Sequence, residues 1–159
     1  MRIAISILVF LTLGTLQVKA CDCKEVKSIK EEFEYSKYVI VGEVITKEQV
    51  VVTDSEIIKY EPRANHRNGR LIMKYTLVIS ETIKGNFKTD TVTVYSGMGG
   101  RDCGFNFIVG EKYLVYGIEG TYNDRIFTDD VSSTWTINCL RTKKEEKAEI
   151  EKLREITKK

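Results

Sequence analysis

The segment LIMKYTLVISETI, residues 71–83, carries the clearest strand signal in the chain. Its apolar side chains recur at every second position, and these are Leu71, Met73, Tyr75, Leu77 and Ile79. This period of two is typical of a strand with one face against a core. The turn signal Lys84-Gly85-Asn86 follows, so we predict a long, half-buried strand here.

Further extended segments flank this strand on both sides. They are predicted at 38–52, 91–95, 112–118, 125–128 and 134–139. Val39, Ile40 and Val41 are consecutive and apolar, so we expect this part of the first segment to be buried on both faces. Several short strands with few helices favour a mainly β domain, either a small barrel or a sandwich.

A short N-terminal helix precedes these strands. Val26, Ile29 and Phe33 have the spacing of an amphipathic helix, and Ser28 with Glu31 matches a capping box.

A second helix is predicted in the highly charged segment 142–159. Its narrow apolar stripe consists of Ile150, Leu153 and Ile156. Three pairs have the spacing of ion pairs on a helix surface, namely Glu149–Lys152, Glu151–Arg154 and Glu155–Lys159. We expect this charged C-terminal helix to pack on the domain or extend from it.

Residues 1–20 have the three parts of a signal peptide. Arg2 gives a positive start, residues 3–16 are almost uninterruptedly apolar, and Val18-Lys19-Ala20 is a cleavage pattern. The apolar run is shorter than the roughly 20 residues that span a bilayer. We therefore predict a secreted protein whose mature chain begins at Cys21, with no transmembrane segment. In the alternative, this is a lipoprotein signal, Cys21 is acylated, and the protein is anchored in the cell envelope.

The segment 21–159 is long enough for one domain with its own core. Without Arg2 and Lys19 the count of Lys and Arg falls from 25 to 23, which equals the 23 Asp and Glu. A balanced charge gives no electrostatic reason to expect a nucleic-acid partner.

Four cysteines, Cys21, Cys23, Cys103 and Cys139, lie in this segment. An even count in an exported protein predicts two disulfides. A bridge from Cys21 to Cys23 is strained, which leaves two pairings that both tie the N-terminus to distant segments. A zinc site made of the four thiols is the alternative, although only the first two cysteines are closely spaced.

The remaining motifs do not predict an enzyme, and no cofactor is expected. The single histidine, His66, lies in a polar loop, and no G-x-S-x-G, H-E-x-x-H or P-loop pattern occurs. Glycines 97, 99, 100 and 104 do not join a strand to a helix as a dinucleotide site requires, so we expect a flexible connection there.

Several short motifs together resemble the netrin-like domain of the tissue inhibitors of metalloproteinases. The resemblance covers about residues 21–141 and rests on Cys21-Asp22-Cys23 at the cleavage site, Ser36 in the helix–strand segment 33–44, the strand 75–83 leading into Lys84-Gly85, Cys103-Gly104-Phe105, the segment 110–116, and Thr136-Ile137-Asn138-Cys139. It implies a five-stranded OB-fold-like barrel. It also implies the disulfides Cys21–Cys103 and Cys23–Cys139.

The resemblance further implies a secreted inhibitor whose partner is a zinc metalloendopeptidase. In that family the α-amine and carbonyl of the first cysteine chelate the protease zinc, which assigns this role to Cys21. Asp22 would enter the substrate pocket. The remaining protease-contacting residues would be Cys23, Lys24, Arg101 and Asp102. The alternative is a secreted or lipid-anchored OB-fold module that binds a partner by another surface and inhibits no protease. We expect a monomer in either case.

Overall fold

The structure of the protein is a computed structural model, and it describes residues 21, 23, 25, 27–52, 57–59, 70–118 and 133–158. Its helices and strands, in chain order, are α1 (Ile29–Tyr35), β1 (Tyr38–Val52), β2 (Ile57–Lys59), β3 (Arg70–Lys84), β4 (Thr91–Ser96), β5 (Lys112–Gly117), β6 (Ser133–Trp135), β7 (Lys143–Lys144) and α2 (Lys147–Thr157). The predicted signal peptide and the predicted strand at 125–128 lie outside the described residues.

The fold is mainly β, and its strands form one mixed sheet. Along the sheet the strand order is β6-β4-β3-β1-β5-β7, and β2 pairs with the far end of β1. All ladders are antiparallel except the one between β4 and β6. This order has two ends, so the ladders form an open sheet. Beyond the ladders, an isolated bridge joins Ile118, which follows β5, to Trp135 of β6.

Strand β1 is the centre of the sheet and is buried on both faces where the sequence predicts it. Ile40 belongs to one apolar cluster with Tyr75 and Leu77. Val39 and Val41 belong to a second cluster, which includes residues of α2. Three register shifts in the pairing with β3 interrupt this strand, and such bulges bend a strand. A bent central strand thus serves two cores at once.

Helix α1 begins at the predicted capping box. The Glu31 amide donates to Ser28 Oγ at 3.2 Å, and the Ser28 amide donates to Glu31 Oε2 at 2.8 Å. At the other end, Lys84 Nζ donates to the carbonyls of Phe33 and Glu34 at 2.6 and 3.2 Å. A cation at a helix C-terminus is favourable, so the end of β3 holds α1 in place.

Helix α2 packs on the domain through its apolar stripe, since Ile150 and Leu153 are buried in the second cluster. Glu149, expected on the helix surface opposite Lys152, is instead 3% exposed and is bonded to Arg141. The predicted surface pair is wrong because Glu149 lies one turn before Leu153, on the face that meets the domain. In the part of the chain that the structure describes, no helix has the length and apolar content to cross a membrane.

Candidate functional site

Two disulfides fasten the N-terminal segment to the domain. Cys21 is bonded to Cys103 and Cys23 to Cys139, with Cα–Cα distances of 5.3 and 5.2 Å. These are the two pairings that the family resemblance implies. Residue 21 is therefore held against a loop 82 positions away in the chain, and residue 23 against one 116 positions away.

The two disulfides pack against each other. Cys21 Sγ lies 3.6 Å from Cys139 Sγ and 4.0 Å from Cys23 Sγ. Three of the sulfurs, those of Cys21, Cys103 and Cys139, fall within 4.8 Å of one another, as metal ligands also would. Zinc binds the thiolate, however, and the structure has all four cysteines oxidised. The disulfides thus replace the four-thiol zinc site that the sequence left open.

The loop that carries Cys103 is organised by Asp102. Its carboxylate accepts hydrogen bonds from the amides of Met98 at 2.6 Å, Gly99 at 2.8 Å and Gly104 at 3.1 Å. Three donors on one carboxylate define the path of the backbone around it. Asp102, expected to contact a protease, thus has its charge engaged within its own loop.

The glycines of this loop permit its backbone to pass close to the Asp102 carboxylate and to itself. A Cβ at Gly97 would lie 2.6 Å from the Asp102 carboxyl, and one at Gly104 would overlap the Gly97 carbonyl. Cys103 itself has φ 55°, in the left-handed region, and is the one non-glycine residue with positive φ among those described. The glycines for which the sequence predicts a flexible connection thus lie in a compact turn. In the sequence, the signal for this compact turn was the spacing of several glycines around a single aspartate, Asp102.

This loop is also hydrogen-bonded to the segment that carries the other disulfide. Ser96 Oγ accepts from the Phe105 amide at 2.7 Å and donates to the Thr136 carbonyl at 2.7 Å. The Asn138 amide donates to the Cys103 carbonyl at 2.8 Å. The two anchor points of the N-terminal segment are thus parts of one connected surface, which we call the disulfide edge (Cys21, Cys23, 97–105 and 136–139).

Some of the residues that were predicted to contact a protease lie together at the disulfide edge. Cys21, Cys23 and Asp102 lie together there, and the backbone of Arg101 is in the 3-10 turn Gly100–Asp102. The Arg101 side chain, Asp22 and Lys24 lie outside the described residues. Cys21 and Cys23 are each half-buried, so the edge is partly accessible to a partner.

Next to this edge lies a buried ionic cluster that the sequence did not indicate. Glu149 Oε1 and Oε2 accept from Arg141 Nε and Nη2 at 2.9 and 2.7 Å, and Oε1 also accepts from the Tyr116 hydroxyl at 2.7 Å. Lys143 forms a further ion pair with Glu149. Burial alone would raise the pKa of Glu149, but the hydrogen bonds from Arg141, Lys143 and Tyr116 outweigh it and lower this pKa to about 2. Glu149 is therefore charged at neutral pH and accepts from all three donors.

Arg141 connects this cluster to the N-terminal segment. Its Nη1 donates to the Lys27 carbonyl at 3.0 Å, just before α1 begins. The same guanidinium thus contacts α2 and the entry to α1. Because residues 138–143 run directly from the disulfide edge into the cluster, covalent and ionic anchors are adjacent in the chain.

A second buried glutamate, Glu32 of α1, has no such partners. It is 1% exposed, and among the described residues neither carboxylate oxygen has a hydrogen-bond partner. Burial raises its pKa, and the charges of Lys27 and Arg141 oppose that rise only in part. Glu32 lines a cavity of about 220 Å³, together with Cys23 and Cys139 of the disulfide edge.

Taken together, the disulfide edge can hold the backbone at Cys21 and Cys23 in one conformation. A segment that is already ordered loses little conformational entropy when it binds a partner. A scan against models of known protein families finds no match, and a search of curated proteins finds none either.

Proposed function

We propose that the protein is an exported inhibitor of zinc metalloendopeptidases and acts through the N-terminus of a mature chain that begins at Cys21. The observation that carries the proposal is the double attachment of this segment. Cys21 is bonded to Cys103, and the Cys23–Cys139 disulfide packs directly against that bond. Disulfides are typical of exported proteins, which supports the same conclusion.

The proposal includes an OB-type barrel as the scaffold. The strand order β6-β4-β3-β1-β5 supports it, because the bridge between Ile118 and Trp135 lies where β5 and β6 would meet to complete a five-stranded ring. The parallel pairing of β4 with β6 fits a chain that returns to the sheet by a long connection. OB-folds are small, partly open barrels of this size.

The proposed mechanism uses backbone atoms of Cys21. Cleavage after Ala20 would create an α-amine, whose pKa is ordinarily about 7.7 to 8.0, and zinc favours the neutral, ligating form. The amine nitrogen and the carbonyl oxygen of one residue can bind a single metal ion, and zinc accepts both donor types. The disulfides would hold these donors in place, which lowers the ordering cost of the complex.

The charge of Asp22 restricts which proteases the protein could inhibit. In this mechanism its side chain enters the substrate pocket beside the zinc, and a carboxylate in an apolar pocket costs several kcal/mol unless a cation meets it. We therefore expect the targets to be proteases whose pocket is polar or basic. Replacing Asp22→Thr should strengthen inhibition of proteases with an apolar pocket.

The test compares three forms of the oxidised protein. One begins at Cys21, the second has one alanine added before Cys21, and the third has one alanine added after Lys159 as the matched control. The N-terminal alanine moves the α-amine by about 3.8 Å, too far for a zinc–nitrogen bond of about 2.1 Å at the same place. We expect the first and third forms to inhibit a panel of zinc endopeptidases and the second to be at least about tenfold weaker.

Equal activity or equal inactivity of the three forms would contradict chelation and favour the alternative, a binding module that uses another surface. One observation favours that alternative specifically. Ile108 and Val109 are 53% and 52% exposed in a turn that is hydrogen-bonded to β1 through Val44.

Measurement of the intact mass tests the lipoprotein alternative. A Cys21 whose amine is acylated has no free amine with which to bind zinc.

A further inference from the structure

Four sulfur atoms from three separate parts of the chain meet at the disulfide edge. Cys21 Sγ lies 3.6 Å from Cys139 Sγ and 4.0 Å from Cys23 Sγ, although it is bonded to neither. The sulfurs of Cys21, Cys103 and Cys139 all fall within 4.8 Å of one another. All four cysteines are half-buried, so small molecules and ions can reach this group of sulfurs from solvent.

The distances between sulfurs that are not bonded to each other are close to those of a tetrahedral zinc–thiolate centre. Zinc binds four cysteine thiolates at about 2.3 Å, which separates neighbouring sulfurs by about 3.8 Å. The two non-bonded distances from Cys21 Sγ, 3.6 and 4.0 Å, lie on either side of this value. After reduction, the sulfurs of each bridge need to separate only to the same distance.

Non-covalent contacts hold two of the four cysteines in place without the bridges. The Asn138 amide donates to the Cys103 carbonyl at 2.8 Å, which joins the loop of Cys103 to the segment of Cys139. The Asp102 carboxylate accepts from three backbone amides of the same loop. The folded protein therefore keeps Cys103 and Cys139 close together when their thiols are free.

The other two cysteines share one short segment, which is attached to the domain just beyond them. Arg141 Nη1 donates to the Lys27 carbonyl at 3.0 Å, shortly after Cys23 in the chain. Only one residue separates Cys21 from Cys23, so this segment brings both thiols to the same place.

We propose that the reduced protein binds one zinc ion through the thiolates of Cys21, Cys23, Cys103 and Cys139. The reductant is a dithiol: each bridge takes up two electrons and two protons, and each dithiol becomes a cyclic disulfide. Zn²⁺ then displaces the four thiol protons and forms four zinc–sulfur bonds without a change in its oxidation state. Oxidation of the thiolates to the two bridges releases the metal. The inference is independent of protease inhibition, because it uses the sulfur atoms and not the α-amine of Cys21.

The test uses the form that begins at Cys21, reduced with a phosphine, and Co²⁺ as a coloured substitute for zinc. Tetrahedral thiolate coordination gives Co²⁺ strong visible absorption bands. We expect these bands to saturate at one Co²⁺ per chain, to disappear when zinc is added, and to be absent from the oxidised protein, which has no thiolate. Cys139→Ser should weaken zinc binding at least about tenfold. Met98→Leu is the matched control, because it removes a sulfur of the same loop that is not a thiol, and it should leave zinc binding unchanged.

Unfolding measurements distinguish this site from four cysteines that bind zinc in an unfolded chain. Zinc that binds the folded state stabilises it, whereas binding to unfolded cysteines reduces this stabilisation. We expect zinc to raise the urea midpoint of the reduced protein. Where the reduced chain is unfolded without metal, zinc should restore the circular dichroism of the oxidised protein.

Three results would each overturn the proposal. The first is a urea midpoint that zinc leaves unchanged or lowers. The second is a reduced chain that stays unfolded with zinc. The third is a Cys139→Ser variant that binds zinc as tightly as the unaltered reduced protein.

Discussion

The two ends of the domain are attached to the sheet by different physical means. The N-terminal segment is held by the bonds Cys21–Cys103 and Cys23–Cys139. The C-terminal helix α2 is held by the apolar contacts of Ile150 and Leu153 and by the charges around Glu149. The Cys23–Cys139 bond and the charges around Glu149 both involve the segment 138–143. The two ends of the domain therefore differ in the kind of attachment rather than in its place.

The difference follows from what each segment can bury. Helix α2 presents an apolar stripe, and burying such side chains contributes on the order of 1.5 to 3 kcal/mol each. The described residues before α1 include Cys21, Cys23, Glu25 and Lys27, none of which offers a comparable apolar side chain. For the described residues of this segment, the order comes from the covalent bonds of Cys21 and Cys23.

Removal of both disulfides should have the largest effect on stability. The bridges join residues 82 and 116 positions apart, and for a single loop of either length chain entropy predicts a loss of about 4 to 5 kcal/mol in the free energy of unfolding, so removal of both should cost more than this. Urea unfolding of the oxidised protein and of the variant with all four cysteines changed to serine measures this loss.

The variants that lack one bridge sharpen this expectation. Because either bridge alone still closes a loop of nearly the same length, each single removal should cost less than half of the double removal. Additive losses would show that the two bridges stabilise separate regions and would contradict the description of one disulfide edge.

Glu149→Gln should have the next largest effect. It leaves Arg141 and Lys143 without their buried counter-charge, and breaking such a cluster costs on the order of 3 kcal/mol. Glu151→Gln is the matched control on the exposed face of α2 and should change the free energy of unfolding by less than about 0.5 kcal/mol. Urea unfolding at pH 7 measures both.

The pH dependence of the free energy of unfolding tests whether the charge of Glu149 causes the loss of stability. The pKa of Glu149 is lowered to about 2 from an ordinary value of 4.5, so its stabilisation is complete above about pH 5 and is lost as the pH falls from 4.5 to 2. The Glu149→Gln variant should lack this part of the acid destabilisation. A variant whose acid profile equals that of the unaltered protein would show that Glu149 acts by packing alone.

Gly104→Ala should have the smallest of the three effects and should be confined to the disulfide edge. The added Cβ would overlap the Gly97 carbonyl, and overpacking of this kind costs about 1 to 3 kcal/mol. A Cβ at Gly100 would meet no atom within 4 Å, so Gly100→Ala adds only backbone strain of about 1 kcal/mol. Urea unfolding and disulfide mapping compare the two variants. Equal losses in the free energy of unfolding would contradict a steric cause for the effect of Gly104→Ala.

Much of the strand structure could be predicted from local patterns. Strand β1 has the predicted bounds, and β3 extends one residue beyond the prediction at each end. Both segments have a strong apolar pattern, and such a pattern depends only on neighbouring residues. The capping box of α1 was predictable for the same reason, since Ser28 and Glu31 are three positions apart.

The long-range features could not be predicted in this way. Cysteine spacing left two pairings open, and only the family resemblance selected one. Glu149 was expected at an exposed helix position, because charged residues on helices are usually solvated. Glu149 is buried because donors from a non-helical segment, Arg141 and Lys143, reach it, and no local pattern contains that information.

The disulfide edge also has a consequence for biosynthesis. The ribosome makes Cys21 and Cys23 first, but their partners follow 82 and 116 residues later. At about 5 to 20 residues per second, the first thiols wait several seconds before the correct sulfurs exist. During this wait Cys21 and Cys23 have only each other or foreign thiols to react with. The part of the domain that is synthesised first is thus the last to be completed, and its yield depends on how well the cell protects or corrects two early cysteines.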